Sequence, residues 1–177
     1  MANVKIGNPA PSFELPAVDG EVRSLAAISE GKRATAVVFM CNHCPYVLAW
    51  MDRLVAASND YAGDGVAFVA INSNDAVKYP ADSFDAMATL AAEYSLPFPY
   101  LHDETQQVAE AYGAERTPEV FLFDAGLELR YHGAPDDNYD EAQAGVPYLR
   151  DALDAVLAGG DPATQETPPA GCTIKWK

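Results

Sequence analysis

Thr35-Ala36-Val37-Val38-Phe39-Met40-Cys41-Asn42-His43-Cys44-Pro45-Tyr46-Val47 is the stretch that decides the fold. Its first six residues are apolar or β-branched, which predicts a strand buried on both faces. Beyond it, Val47, Met51, Leu54, Val55 and Ser58 recur at helical spacing, with Asp52, Arg53 and Asn59 facing outward. The Cys-x-x-Cys unit therefore stands between a buried strand and the first turn of a helix. Unpaired backbone N–H groups and the helix dipole favour a thiolate there. Cys41, at the helix entrance, is expected to have the depressed pKa and to attack. Cys44, one turn further in, is expected to resolve the mixed disulfide. A protonated His43 would add positive charge beside the pair. Pro45 suits a helix start, where its missing N–H costs no hydrogen bond.

Working outward, Phe13–Leu15 and Val22–Arg23 flank an Asp19-Gly20 turn and predict an N-terminal hairpin. Tyr61–Gly65 stops the first helix, and Val66–Ile71 is a second buried strand, left through the turn-rich Asn72–Asp75. Ser83 is a candidate cap for a helix carrying Phe84, Met87, Ala88, Ala91 and Tyr94. Leu96–Tyr100 is extended, since its prolines discourage helix before them. Thr105–Tyr112 supports a short helix, and Val120–Phe123 with Leu127–Tyr131 an antiparallel hairpin. Val146, Leu149, Leu153, Val156 and Leu157 predict a last helix, ended by Gly159-Gly160. Asp136–Glu141 reads as a solvated acidic loop. This order predicts an α/β fold: one mixed sheet with helices on both faces, in a single domain over residues 1–160. The tail, residues 161–177, is proline-rich but ends in Cys172-Thr173-Ile174-Lys175-Trp176-Lys177. Burying Ile174 and Trp176 gains roughly 2 kcal/mol each before ordering costs, so the tail is expected to dock.

Composition narrows the function. The 177 residues carry 26 acids against 11 bases, a net charge of -15. Such a surface repels nucleic acid and anionic membranes, so neither is expected as a partner. No apolar run reaches the length of a membrane span, and no apolar leader core follows the N-terminus, so a cytoplasmic protein is expected. In that reducing compartment a close cysteine pair points to catalysis rather than to a structural disulfide. Cys172, His102 and His132 are scattered, so neither metal nor cofactor is expected. His102, beside Asp103-Glu104, reads as a satisfied or solvated surface histidine.

The chain resembles the thioredoxin-like superfamily, within it the redoxin branch shared by peroxiredoxins and thiol reductases, and there a peroxiredoxin-like subgroup of bacterial CxxC proteins. The resemblance rests on Gly7-Asn8-Pro9-Ala10-Pro11-Ser12-Phe13-Glu14-Leu15, on Phe39–Val47, on Gly113-Ala114 and Thr117-Pro118, and on Gly171–Lys177. It implies a thioredoxin-like sheet, with Cys41 as nucleophile and Cys44 as resolving partner. It also implies a cis Pro118 against the pair, leaving the Thr117 backbone, with Asn42, to bind substrate. A second alignment sets Cys44-Pro45 in the peroxidatic slot of peroxiredoxins, with Cys41 where they carry a threonine. Arg116 lies near the strand where peroxiredoxins hold a peroxide-binding arginine. The expected activity is thiol–disulfide exchange with protein or small-molecule disulfides, sustained by an external thiol reductant. The alternatives are a thiol peroxidase and a redox-sensing binding protein. Cys172 is a possible third redox cysteine.

Overall fold

The structure, a computed structural model, describes residues 3–177. The predicted hairpin is β1 (Glu14–Pro16) against β2 (Val22–Ser24). A five-residue helix, α1 (Leu25–Ser29), follows, capped by the Ser24 hydroxyl accepting from the Ala27 N–H at 3.2 Å. The sequence reading had not separated it from the loop. Then come β3 (Ala34–Phe39), α2 (Pro45–Ala62), β4 (Val66–Asn72), α3 (Phe84–Glu93), β5 (Tyr100–His102) and α4 (Gln107–Tyr112). The chain closes with β6 (Arg116–Thr117), β7 (Glu119–Asp124), β8 (Leu129–Gly133), α5 (Tyr148–Leu157) and β9 (Cys172–Thr173).

The main sheet runs β5-β4-β3-β7-β8. β3 is central, parallel to β4 and antiparallel to β7. Successive side chains on a strand point to opposite faces. Accordingly Ala36, Val38 and Met40 join one core with Trp50, Leu54, Met87, Leu90, Leu149 and Leu153 from α2, α3 and α5. Val37 and Phe39 join the other with Leu25, Ala109 and Tyr112 from α1 and α4. Helices thus cover both faces, as the buried character of β3 requires. Phe39 pairs with both Ile71 and Glu119, so the loop after β3 and the turn before β7 leave the sheet at the same end. That register brings Cys41 and Pro118 together.

Several boundaries differ from expectation. Val146 lies outside α5 and is exposed, because Pro147 defers the helix to Tyr148. Leu127 sits in the β7–β8 turn with φ of 59°, outside the hairpin strand. The acidic loop is not wholly solvated. Asp136 is buried, accepts from the Trp50 indole at 2.6 Å and pairs with Arg53, which was placed outward. The Arg53 guanidinium also donates to the backbone oxygens of Asn138 and Tyr139, tying α2 to this loop.

The tail docks. His132 donates to the Gln165 carbonyl and accepts from the Thr167 N–H, a parallel bridge on the outer edge of β8. On the opposite edge, Ala17 of the hairpin loop bridges Leu101 of β5. Further along, β9 pairs antiparallel with β6, Thr117 opposite Cys172. Ile174 is buried, as expected, whereas Trp176 is 41% exposed. Among the described residues, no helix is long and apolar enough to cross a membrane.

Candidate active site

The helix after β3 starts at Pro45, so Cys44 is its N-cap and Cys41 lies in the preceding turn. Both thiols are reduced and buried. Cys41 Sγ is 3.4 Å from the Thr117 hydroxyl, and Cys44 Sγ is 3.2 Å from the Thr117 carbonyl. The residue before Pro118 therefore touches both sulfurs, and the Thr117–Pro118 peptide is cis, as the resemblance implied. Gathered here are Cys41, Cys44, Thr117 and Pro118, with Asn42 and His43 on the outer side of the loop.

The expected order of acidity is reversed. Cys44 is the thiol whose pKa is lowered, first by the Cys41 thiol donating to it, against the cost of burial. The Cys172 thiol and the backbone N–H groups of Val47 and Cys172 add to this. Cys41 is pushed up, first by giving its proton to that hydrogen bond, then by burial, with the Asp82 charge adding to both. Cys44 also stands at the N-cap, where the Val47 N–H faces it, whereas Cys41 lies three positions earlier.

Asp82 was not foreseen. It lies in a 3-10 turn, Pro80–Asp82, just before α3, and its side chain is wholly buried. One oxygen accepts from the Asn42 N–H at 2.7 Å and from the Asn72 amide at 3.4 Å. The other takes the Asn74 amide at 2.7 Å and lies 2.8 Å from His43 Nδ1. Tyr100, deep in the core, donates to the Asn42 side-chain oxygen at 2.8 Å. The predicted cap holds, with the Ser83 hydroxyl accepting from Ala86 N–H and starting α3 directly after Asp82. His43 is one-third exposed and stacks on Tyr79, 6.2 Å away.

Glu119 is the second unforeseen carboxylate, immediately after Pro118 and almost wholly buried. One oxygen accepts from the N–H groups of both Glu115 and Arg116 at 2.8 Å. The other lies 2.6 Å from His132 Nε2. It fixes the turn that presents Thr117 to the sulfurs. An acid opening the otherwise apolar run Val120–Phe123 was the available signal. The Arg116 guanidinium donates to the Gly171 carbonyl at 3.0 Å and holds the tail, on the Cys172 side of the site. His102 is half-buried with an unpartnered Nε2, and burial lowers its pKa, so it is neither satisfied nor freely solvated. It stands apart from the sulfurs, against Phe84.

Cys41, His43 and Asp82 place one donor atom each within 4.8 Å of one another, and these three could meet a metal ion. Both Asp82 oxygens are already engaged by amide donors, so the set is built first as a hydrogen-bonded framework.

A central mixed sheet, a CxxC at the N-terminus of the following helix and a cis-proline facing it define the thioredoxin-like fold. The profile of the AhpC/TSA family matches residues 6–132, and the chain belongs to that family. Among solved structures, it resembles an uncharacterized conserved protein from Geobacillus kaustophilus at 45% identity and TM-score 0.93, covering 99% of this chain and 95% of that one. A hypothetical protein from Sinorhizobium meliloti 1021 matches at 41% identity and TM-score 0.93, covering 99% and 97%. Peroxidoxin BcpB from Mycobacterium tuberculosis shares the fold at 18% identity and TM-score 0.66, covering 88% and 96%. No curated protein sequence matches significantly.

Proposed function

We propose that the protein is a dithiol oxidoreductase that passes electrons between the Cys41–Cys44 pair and disulfides of proteins or small molecules. An external thiol restores the dithiol. The observation that carries this reading is the Cys41–Cys44 pair at the start of α2, with both sulfurs against Thr117 just before the cis Pro118. Cys44 enters the reaction as the thiolate and forms the mixed disulfide. Cys41 then attacks the Cys44 sulfur, the Cys41–Cys44 bond forms, and the substrate leaves as a thiol. The Thr117 backbone edge that the resemblance left for substrate is taken by β9, Asn42 borders the pair on its outer side, and His43 with Asp82 sets the charge beside Cys41. A reducing compartment such as the cytoplasm suits this direction.

A second reading is thiol peroxidase. Two observations favour it: Cys44, the residue followed by proline, is the thiol whose pKa is lowered, and both sulfurs of the pair are buried, so a peroxide reaches them more readily than a protein disulfide. In that case Cys44 attacks one peroxide oxygen, the O–O bond breaks and the other oxygen leaves as water, giving a sulfenic acid; a neighbouring thiol then condenses with it, forming a disulfide and releasing a second water. Insulin reduction and peroxide consumption, measured in parallel with dithiothreitol as the reductant, decide. Insulin turnover abolished by Cys44→Ser is the expected result. Peroxide turnover without insulin turnover selects the second reading, and activity in neither assay overturns both.

A further inference from the structure

The pair is buried, yet its electrons must come from and go to solvent. Of the three cysteines, Cys172 alone is not buried. It is held at the pair by backbone pairing: β9 lies along β6, with Cys172 directly opposite Thr117, whose carbonyl is 3.2 Å from Cys44 Sγ. The fit is close. At Gly171, with φ of +152°, a Cβ would stand 2.0 Å from the Thr117 carbonyl oxygen, so only glycine lets the tail pass. The seat is tied beyond the cysteine as well. Ile174 N–H donates to the Glu115 carbonyl, Lys175 N–H to the Asn74 side chain and Lys177 N–H to the Gln106 side chain. Cys172 also joins the apolar cluster that holds Cys41 and Cys44. The tail strand thus occupies the backbone edge beside Pro118 and presents its own sulfur there.

We propose that Cys172 is the exchange thiol through which external thiols re-reduce the buried pair, the oxidised centre shuttling between a Cys41–Cys44 and a Cys44–Cys172 disulfide. This rests on the thiol–disulfide reading above. In the oxidised protein the Cys172 thiolate attacks the Cys44 sulfur. The Cys44–Cys172 bond forms and the Cys41–Cys44 bond breaks. The electron pair goes to Cys41, which takes up the proton Cys172 gave up, so the step is redox-neutral. An external thiol then attacks Cys172, and Cys44 leaves as the thiolate, the better leaving group of the three because its pKa is the one lowered. A second external thiol removes the first as a small disulfide and returns Cys172 to the reduced state. Burial first, and then Cys44, push the Cys172 thiol up to about 11, while Lys175 and Arg116 pull the other way. The Cys44 part of that opposition vanishes once Cys44 is in a disulfide.

Two measurements test the relay. In Cys41→Ser, one equivalent of diamide should give an intramolecular Cys44–Cys172 disulfide, read by non-reducing peptide mass mapping. Cys172 left free, or found only in an intermolecular dimer, overturns the proposal. In the second, protein carrying the Cys41–Cys44 disulfide is re-reduced by glutathione, and Cys172→Ser should slow this at least about tenfold, since exchange rates follow access to the attacked sulfur. Equal rates overturn the relay while leaving disulfide exchange at the pair intact. Wild-type protein that forms no Cys41–Cys44 disulfide overturns the underlying reading instead. The Cys41→Ser map still decides separately whether Cys172 is within bonding reach of Cys44.

Discussion

Two buried carboxylate–histidine pairs flank the cysteines, and they are built for different ends. Glu119 and His132 lie 2.6 Å apart with both side chains nearly or wholly enclosed. Asp82 and His43 lie 2.8 Å apart, but the imidazole is 35% exposed. Glu119 spends its remaining oxygen on two backbone N–H groups of the turn before Thr117. Asp82 spends its capacity on Asn42, Asn72 and Asn74, and its charge reaches Cys41. A carboxylate whose donors all come from backbone and an enclosed ring holds a shape. One placed between a solvent-reachable imidazole and a thiol also sets a charge.

The sharpest way to break this contrast is Glu119→Ala. It strands a buried imidazole and two backbone donors, so a loss of about 3–5 kcal/mol in urea unfolding is expected. A loss below about 1 kcal/mol would show that the pair holds nothing. Asp82→Asn is the counterpart at equal volume: the charge goes, and the new Nδ2 must face an amide donor from which a carboxylate oxygen now accepts. The Cys41 pKa should fall, since the Asp82 charge is among the causes that raise it, after the hydrogen bond to Cys44 and burial. Thiolate ultraviolet absorbance across pH reads this directly, and an unchanged titration would refute the assigned role. Glu119→Gln should leave the same titration where it is.

Smaller effects sharpen the boundary of each pair. Ser83→Ala removes the cap that starts α3 beside Asp82 and should cost about 1 kcal/mol. Its effect on the thiol titration should follow any displacement of Asp82 rather than helix content, which circular dichroism separates. His43→Ala removes an exposed partner and should cost less than about 1 kcal/mol. A cost as large as that of Glu119→Ala would erase the distinction between the two pairs.

What the sequence disclosed follows from how local each signal is. The strand Ala34–Phe39, the Cys-x-x-Cys junction and the cap at Ser83 are contiguous and were legible. Asp82 was not, because a short turn returns it to a loop 40 residues earlier. The location of the thiolate was misread although Pro45 marks the first helical residue, which makes Cys44 the N-cap. α1 escaped because five residues cannot establish a period. The tail was half legible: the apolarity of Ile174 predicted docking, whereas Trp176 stayed exposed because pairing with β6 and the loops, not side-chain burial, sets its course.

The single-residue bridges at the two rims of the sheet have a consequence for solubility. An uncovered strand edge is a template for another chain, and proteins that leave one open tend to polymerise through it. Here Ala17 sits on β5, while β8 is bonded at Leu129 by Gly7 and Asn8 and at His132 by the Gln165–Thr167 segment, each of which then departs. Neither rim offers a long straight row of free amides, and the carboxylates of Asp19 and Glu166 stand next to the two bridges. A chain with net charge -15 is thereby guarded twice against stacking, by repulsion at a distance and by blocked hydrogen bonding at contact. Strong salt screens the first guard and leaves the second in place.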